Sequence, residues 1–219
     1  MSRLTTAGWR AFTGPKNKSR NDKIVVQRAR TFPIKHPLEM QGLSAANIAF
    51  PSVVLPQMPY TPILATLGYV LSPDRKRVLL VHRNARLEDA HLGKYNGLGG
   101  KLEADEDVIR GMRREIREEA AIECTQMSMR GTISWPGFGK AGEDWFGFLF
   151  LISEFAGTVP TSNAEGTLEW IDRERILELP LWEGDRLFLP LVFDTDPRAF
   201  HAVMPYRDGR LQSWSFSRI

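Results

Sequence analysis

Three carboxylates, Glu115, Glu118 and Glu119, stand at i, i+3 and i+4 in the run Arg113-Arg114-Glu115-Ile116-Arg117-Glu118-Glu119. That spacing puts them on one side of a helix, where like charges repel. Solvent screening on an exposed face is one remedy, and on the helix alone such a cluster is commonplace. A hard divalent cation is the other, since Mg²⁺ takes oxygen ligands, usually a few carboxylates completed by water and substrate phosphate. Elsewhere, Asn96 and Asp185 offer an amide and a carboxyl able to pair donors and acceptors, and Trp182 offers an indole face for stacking. Their ordinary structural uses are a turn at Asn96-Gly97, core packing at Trp182 and a helix cap at Asp185.

The wider spacing separates these readings. Gly100, five residues, Glu106, seven residues, Arg114-Glu115-Ile116, one residue, then Glu118-Glu119 resembles the signature of the Nudix hydrolases. Six fixed positions at roughly 6–7% background each would recur by chance in about one chain of this length in 10⁵. Ile116 and Ile122 agree with the pattern, whereas Ala121 stands where the family usually has Gly, a residue suited to a left-handed helix exit. The resemblance implies a loop–helix–loop on an α/β/α sandwich with a mixed β-sheet. It implies Mg²⁺, with Mn²⁺ as a substitute, held by Glu115, Glu118, Glu119 and the carbonyl of Gly100 or Gly99. Arg114 matches the residue that orients the carboxylates, with Glu106 in support, and Lys101 is expected to meet phosphate. Glu119 is the expected base, and Glu165 matches a position that adds a further ligand or base.

From about Tyr60 to Ser217 the order of elements is similar to the MutT-like oxidised-purine nucleoside triphosphatases. Lys94 to Lys101, Leu181-Trp182-Glu183-Gly184-Asp185 and Phe188 to Leu191 carry that likeness. It implies Asn96 and Asp185 on the base edge and Trp182 stacked on the ring. Gly184 stands where these enzymes have a second acid. The implied reaction hydrolyses a purine triphosphate to monophosphate and pyrophosphate. Two alternatives stay open: a nucleoside diphosphate derivative such as ADP-ribose as substrate, and a non-catalytic nucleotide-binding regulator. Trp135, Phe138, Trp145 and Phe146 could line a base pocket, although sheet core is their commoner use. His36, His82, His91 and His201 lack metal-ligand spacing and read as structural or exposed.

The elements expected to position these residues begin near Pro62. Strands are predicted at Pro62–Leu71, Arg77–His82, Met127–Trp135, Trp145–Phe155 and Leu168–Ile171. A helix is predicted over Val108–Ala120 behind an Asp107 cap, with shorter helices at Arg173–Leu179 and from Asp185. The Asp208-Gly209 turn predicts a closing hairpin between Ala202–Tyr206 and Arg210–Ser217.

Residues 1–57 carry nine Lys/Arg and two acids, +7, while the remaining 20 bases and 24 acids give −4. The basic segment therefore reads as a mostly irregular N-terminal extension to a domain at 58–219. The acidic balance of that domain argues against nucleic acid as a partner and leaves a small nucleotide. No run approaches the roughly 18 apolar residues that span a bilayer. Cys124 is the only cysteine, which rules out an internal disulfide and suits the cytoplasm.

Overall fold

The computed structural model describes residues 59–219, so the extension read at 1–57 lies outside the described residues. Strands β1 (Ile63–Leu71) and β2 (Arg77–His82) pair antiparallel through the turn begun at Ser72. The two-residue strand β3 (Tyr95–Asn96) adds to the end of β2. Helix α1 (Val108–Ala120) starts where predicted, with the Asp107 carboxylate accepting the N–H groups of Ile109 and Arg110, both at 2.9 Å. Strands β4 (Glu123–Trp135) and β5 (Trp145–Ala156) form a long antiparallel pair, and β5 runs parallel to β1. β6 (Thr167–Asp172) pairs along β2, and a 3₁₀ turn at Arg173–Glu178 leads to α2 (Asp185–Phe193). β4 is longer than the alternation predicts because irregularities between Cys124 and Gly131 interrupt its period.

The closing segment differs from the predicted hairpin. Asp208-Gly209 does turn, with φ of 51° and 70°. It joins only the short strands β8 (Tyr206–Arg207) and β9 (Arg210–Leu211), which make a sheet of their own. The main sheet is completed by β7 (Phe200–Val203) and β10 (Ser215–Arg218), giving the order β10-β7-β4-β5-β1-β2-β3 with β6 also on β2. Pro205 has no N–H to continue a ladder, so the predicted strand breaks after Val203.

Alternation along the central strands creates two cores. Val78 and Leu80 of β2 join one cluster and Leu79 and Val81 the other; Leu149 and Phe150 of β5 divide the same way. α1 covers one face with Met112, Ile116 and Ala120, and α2 covers the other with Phe188, Leu189 and Val192. The predicted α/β/α sandwich with a mixed sheet is thus the observed architecture. Arg130 of β4, itself buried, anchors the far end of α2. Its guanidinium donates to the carbonyls of Leu191, Val192, Asp194 and Asp196 at 2.9–3.4 Å. Among the described residues no helix is long and apolar enough to cross a membrane.

Ala121 closes α1 in the left-handed region, φ 54° and ψ 30°, with its N–H on the Arg117 carbonyl. The helix exit that glycine would favour is therefore kept by a residue whose Cβ is strained there by roughly 1 kcal/mol. Its methyl is exposed and makes little packing. Ala121→Gly is expected to stabilise the protein by about 0.5–1 kcal/mol in urea unfolding; a loss of stability would show that the methyl packs after all.

Candidate active site

The segment after β3 crosses beside β1, with bridges at Gly68–Leu98 and Ala65–Lys101. Gly99 sits at φ 145°, and a Cβ there would lie 2.2 Å from the Thr66 carbonyl oxygen, so no other residue fits the crossing. The crossing delivers the loop to α1. Gly99 N–H donates to Glu119 Oε2 at 2.9 Å, and the Glu115 carboxyl lies 2.6 Å from where a side chain would begin at Gly100. Gly100's own carbonyl accepts the Thr66 N–H at 2.8 Å, leaving its second lone pair.

Arg114 organises this loop against the helix. It grips Glu106 with two bonds of 2.6 and 3.0 Å, reaches the Lys101 carbonyl at 3.1 Å, and contacts Glu115 at 2.8 Å and Glu118 at 3.4 Å. Its hydrogen bonds, helped by one from the backbone N–H of Glu103, hold Glu106 down at about 2. Glu115 and Glu119 move the other way. Burial raises Glu115, and burial reinforced by Glu165 and Glu115 pushes Glu119 up to about 8, against the pull of the Gly99 N–H. Glu118 stays on the rim, its side chain 58% exposed.

Glu165 is drawn in by an ion pair with Arg83, which also binds Asp89 at 2.6 Å. Asn163 braces it: its Oδ1 accepts the Glu165 N–H at 2.8 Å while its Nδ2 donates to the Glu119 carbonyl at 3.1 Å. Among the described residues no trio of carboxylates or imidazoles stands preassembled as a cage. The donor set nevertheless fits a hard divalent cation. Carboxyls crowded in a low-dielectric site repel one another, and a bound dication would return them to the ionised form.

Adjoining the loop is a cavity of about 330 Å³ that shares Gly99, Gly100 and Lys101 with it. Its walls are aromatic, from Trp135, Phe138, Trp145, Trp182 and Tyr206. Phe146 instead packs edge-on to Phe148 at 5.4 Å. Four buried side-chain polar atoms lack a partner among the described residues, and three of them, Thr66 Oγ1, Asn96 Oδ1 and Trp145 Nε1, belong to residues lining this cavity. Unpaired buried groups are costly, and a polar ligand in this cavity would supply partners for them. Lys101 is at the mouth, its Nζ 5.4 Å from the Trp145 ring centre. A larger cleft beside Arg75, Lys76 and Arg173 takes in the residue of the fourth such atom, Arg173 Nε, and none of the residues that line this cavity.

Asp185 opens α2 without capping it: the cap position is Gly184 and has no side-chain hydrogen bond. The carboxyl instead lines the cavity, where burial pushes it up to about 7 despite Lys94 nearby. Gly184 also has a steric reason. A Cβ there would lie 2.5 Å from the Tyr206 hydroxyl and 2.6 Å from Met204, so the space of a second acid is taken by a phenol. Arg83, Asn163 and Tyr206 escaped the sequence reading, and His91, read there as structural or exposed, lines the cavity; each meets the site through tertiary contact and none belongs to a spaced motif.

A sequence model of the NUDIX domain matches residues 62–192. The chain belongs to the Nudix family. It is 29% identical over 133 residues to the oxidized purine nucleoside triphosphate hydrolase of Danio rerio, covering 61% of this chain and 81% of that one. It is 31% identical over 132 residues to the enzyme of that name from Mus musculus, covering 60% and 80%. Among solved structures, the MutT protein of Bacillus halodurans superimposes with a TM-score of 0.60 at 27% identity, over 70% of this chain and 97% of that one. Within this Nudix chain the loop and helix bring Gly99, Gly100, Glu106, Arg114, Glu115 and Glu119 together, with Glu165 joining from the β5–β6 connection. Asn96, Lys101, Trp182 and Asp185 all line the adjoining cavity.

The Asp185 shift has a signed consequence for stability. The folded state holds the proton up to about pH 7, against an ordinary value of 3.8, so ionisation costs the fold free energy as pH rises between those limits. Asp185→Asn removes that cost. Its thermal midpoint should gain on the parent steadily from pH 4 to pH 7 and hold a constant lead above that. A difference independent of pH would show that the carboxyl ionises without penalty.

Proposed function

We propose that this Nudix hydrolase cleaves a purine nucleoside triphosphate, an oxidised one by preference, to the monophosphate and pyrophosphate. The observation that carries the reading is the shared wall. An aromatic cavity with unsatisfied polar atoms opens onto the loop where Glu115 and Glu119 meet Gly99 and Gly100. A base in the cavity then has its phosphates over the carboxylates. The names and likeness of the two vertebrate relatives support the same substrate class.

Glu115, Glu118, Glu119 and a glycine carbonyl would hold Mg²⁺, or Mn²⁺ in its place, with Glu165 adding an oxygen. Bound there, the cation supplies charge neutralisation for the polyphosphate and acidifies an attacking water. Arg114 keeps Glu115 and the Lys101 backbone in register, and Lys101 meets phosphate at the mouth. Water oxygen forms a bond to phosphorus as the bridging oxygen between α- and β-phosphate departs with pyrophosphate or monophosphate, and the Glu119 carboxylate takes the water proton. Trp182 stacks on the ring, while Asn96 and Asp185 meet its edge. We assign all of this to residues 58–219, and the lone, buried Cys124 suits a reducing cytoplasm.

The experiment is product identification over 8-oxo-dGTP, dGTP, dCTP and ADP-ribose with Mg²⁺ and with EDTA. Cleavage of the purine triphosphates should vanish in chelator, and Glu119→Gln should lower kcat by at least about 10²-fold. Undiminished turnover in EDTA would exclude the metal-carboxylate mechanism, and preference for ADP-ribose would move the substrate to the diphosphate class. A chain beginning at Met58 should match the full chain in kcat; a large loss would assign residues 1–57 a part in the domain.

A further inference from the structure

The cavity contains an imidazole that neither the motif nor the mechanism uses. His91 lines it, in the loop between β2 and β3, with its backbone N–H fixed on the Asp89 carboxylate at 2.9 Å. Two side chains converge on one of its ring atoms. Trp182 Nε1 lies 2.9 Å from His91 Nδ1, and Asn96 Nδ2 lies 3.3 Å from the same atom. The Trp182 and His91 rings meet edge to face at 5.4 Å.

An indole N–H can only donate, so the Nδ1 that receives it is an unprotonated acceptor and the ring proton sits on Nε2. Burial, with Arg83 adding repulsion, keeps the imidazole below its ordinary value and thus neutral near pH 7. That assignment decides the Asn96 amide. A side-chain amide can turn over and present either oxygen or nitrogen, and its neighbours decide which. An oxygen set against the Nδ1 lone pair would be repelled, so nitrogen faces His91. Oδ1 is the atom left over, and it is buried without a protein partner.

We propose that His91 sets the hydrogen-bonding sense of the base cavity by holding Asn96 so that its oxygen, an obligate acceptor, is what the ligand meets. The matching ligand is a purine that presents an exocyclic amino group; a base lacking the amino group leaves the buried oxygen unpaired. The same Nδ1 holds the Trp182 indole, so the stacking wall and the edge contact share one anchor. This inference rests on the nucleotide reading of the cavity but not on any chemical step. His91 touches neither phosphate nor metal ligands and acts through Asn96 and Trp182 as a positioning residue.

Binding of nucleoside monophosphates without metal tests it apart from hydrolysis. Calorimetric Kd values in EDTA are compared for dGMP against dIMP, and for dAMP against deoxynebularine monophosphate, pairs that differ by one amino group. The parent chain should prefer the amino-bearing member of at least one pair by about 10-fold or more. His91→Leu should reduce that ratio below about threefold, and His91→Asn should restore it, since an Asn oxygen can take the place of Nδ1. No preference in the parent chain, or an unchanged ratio in His91→Leu, overturns the proposal. Equal weakening of both members would show a role in packing alone and also overturns it. Failure to cleave triphosphates, with the binding preference intact, would count against the proposed reaction and not against His91.

Discussion

The close passage of Gly99 over the Thr66 carbonyl is the constraint on which the site depends. Only a residue without Cβ can cross there, and the crossing sets two distances at once. It carries the Gly99 N–H to Glu119 and lays Gly100 against Glu115. It also makes the loop the common wall between the carboxylate cluster and the aromatic cavity. A bulkier residue at 99 would push the loop from β1 and pull the two half-sites apart together.

Against that fixed loop, the charges are arranged in opposite senses. Glu106 is kept firmly ionised by Arg114, whereas Glu119 and Glu115 are held in surroundings that resist ionisation. The first is a structural strut, an ion pair with hydrogen bonds on both oxygens. The second is a pair of carboxyls whose ionisation is opposed first by burial and then by their carboxyl neighbours, a pattern that concentrates at sites of function.

The parts legible in the sequence were those written in local periodicity. The Asp107 cap and the carboxylate spacing belong to one helix and its start, where order along the chain is order in space. The β1, β2 and β5 runs were legible for a related reason, since strands buried on both faces are continuous apolar stretches. The terminal hairpin was misread because the Asp208-Gly209 signal is real but local, and it cannot reveal that β7 lies parallel to β4 and takes β10 as its partner. Tyr206 was invisible for the same cause. Its hydroxyl meets Gly184 from 22 positions away in sequence, and only the packed structure shows that the glycine and the phenol share one volume.

The two ends of α2 are secured by different means. At Phe193 the last carbonyls and the residues beyond are clasped by the buried Arg130 guanidinium. At Gly184 no side chain caps the first turn, and Arg186 instead donates from that turn to the carbonyls of Leu177 and Leu179. The end so tied carries Asp185 and adjoins Trp182, both on the cavity wall. A change at either anchor of α2 therefore reaches the cavity wall without passing through the helix that carries the carboxylates.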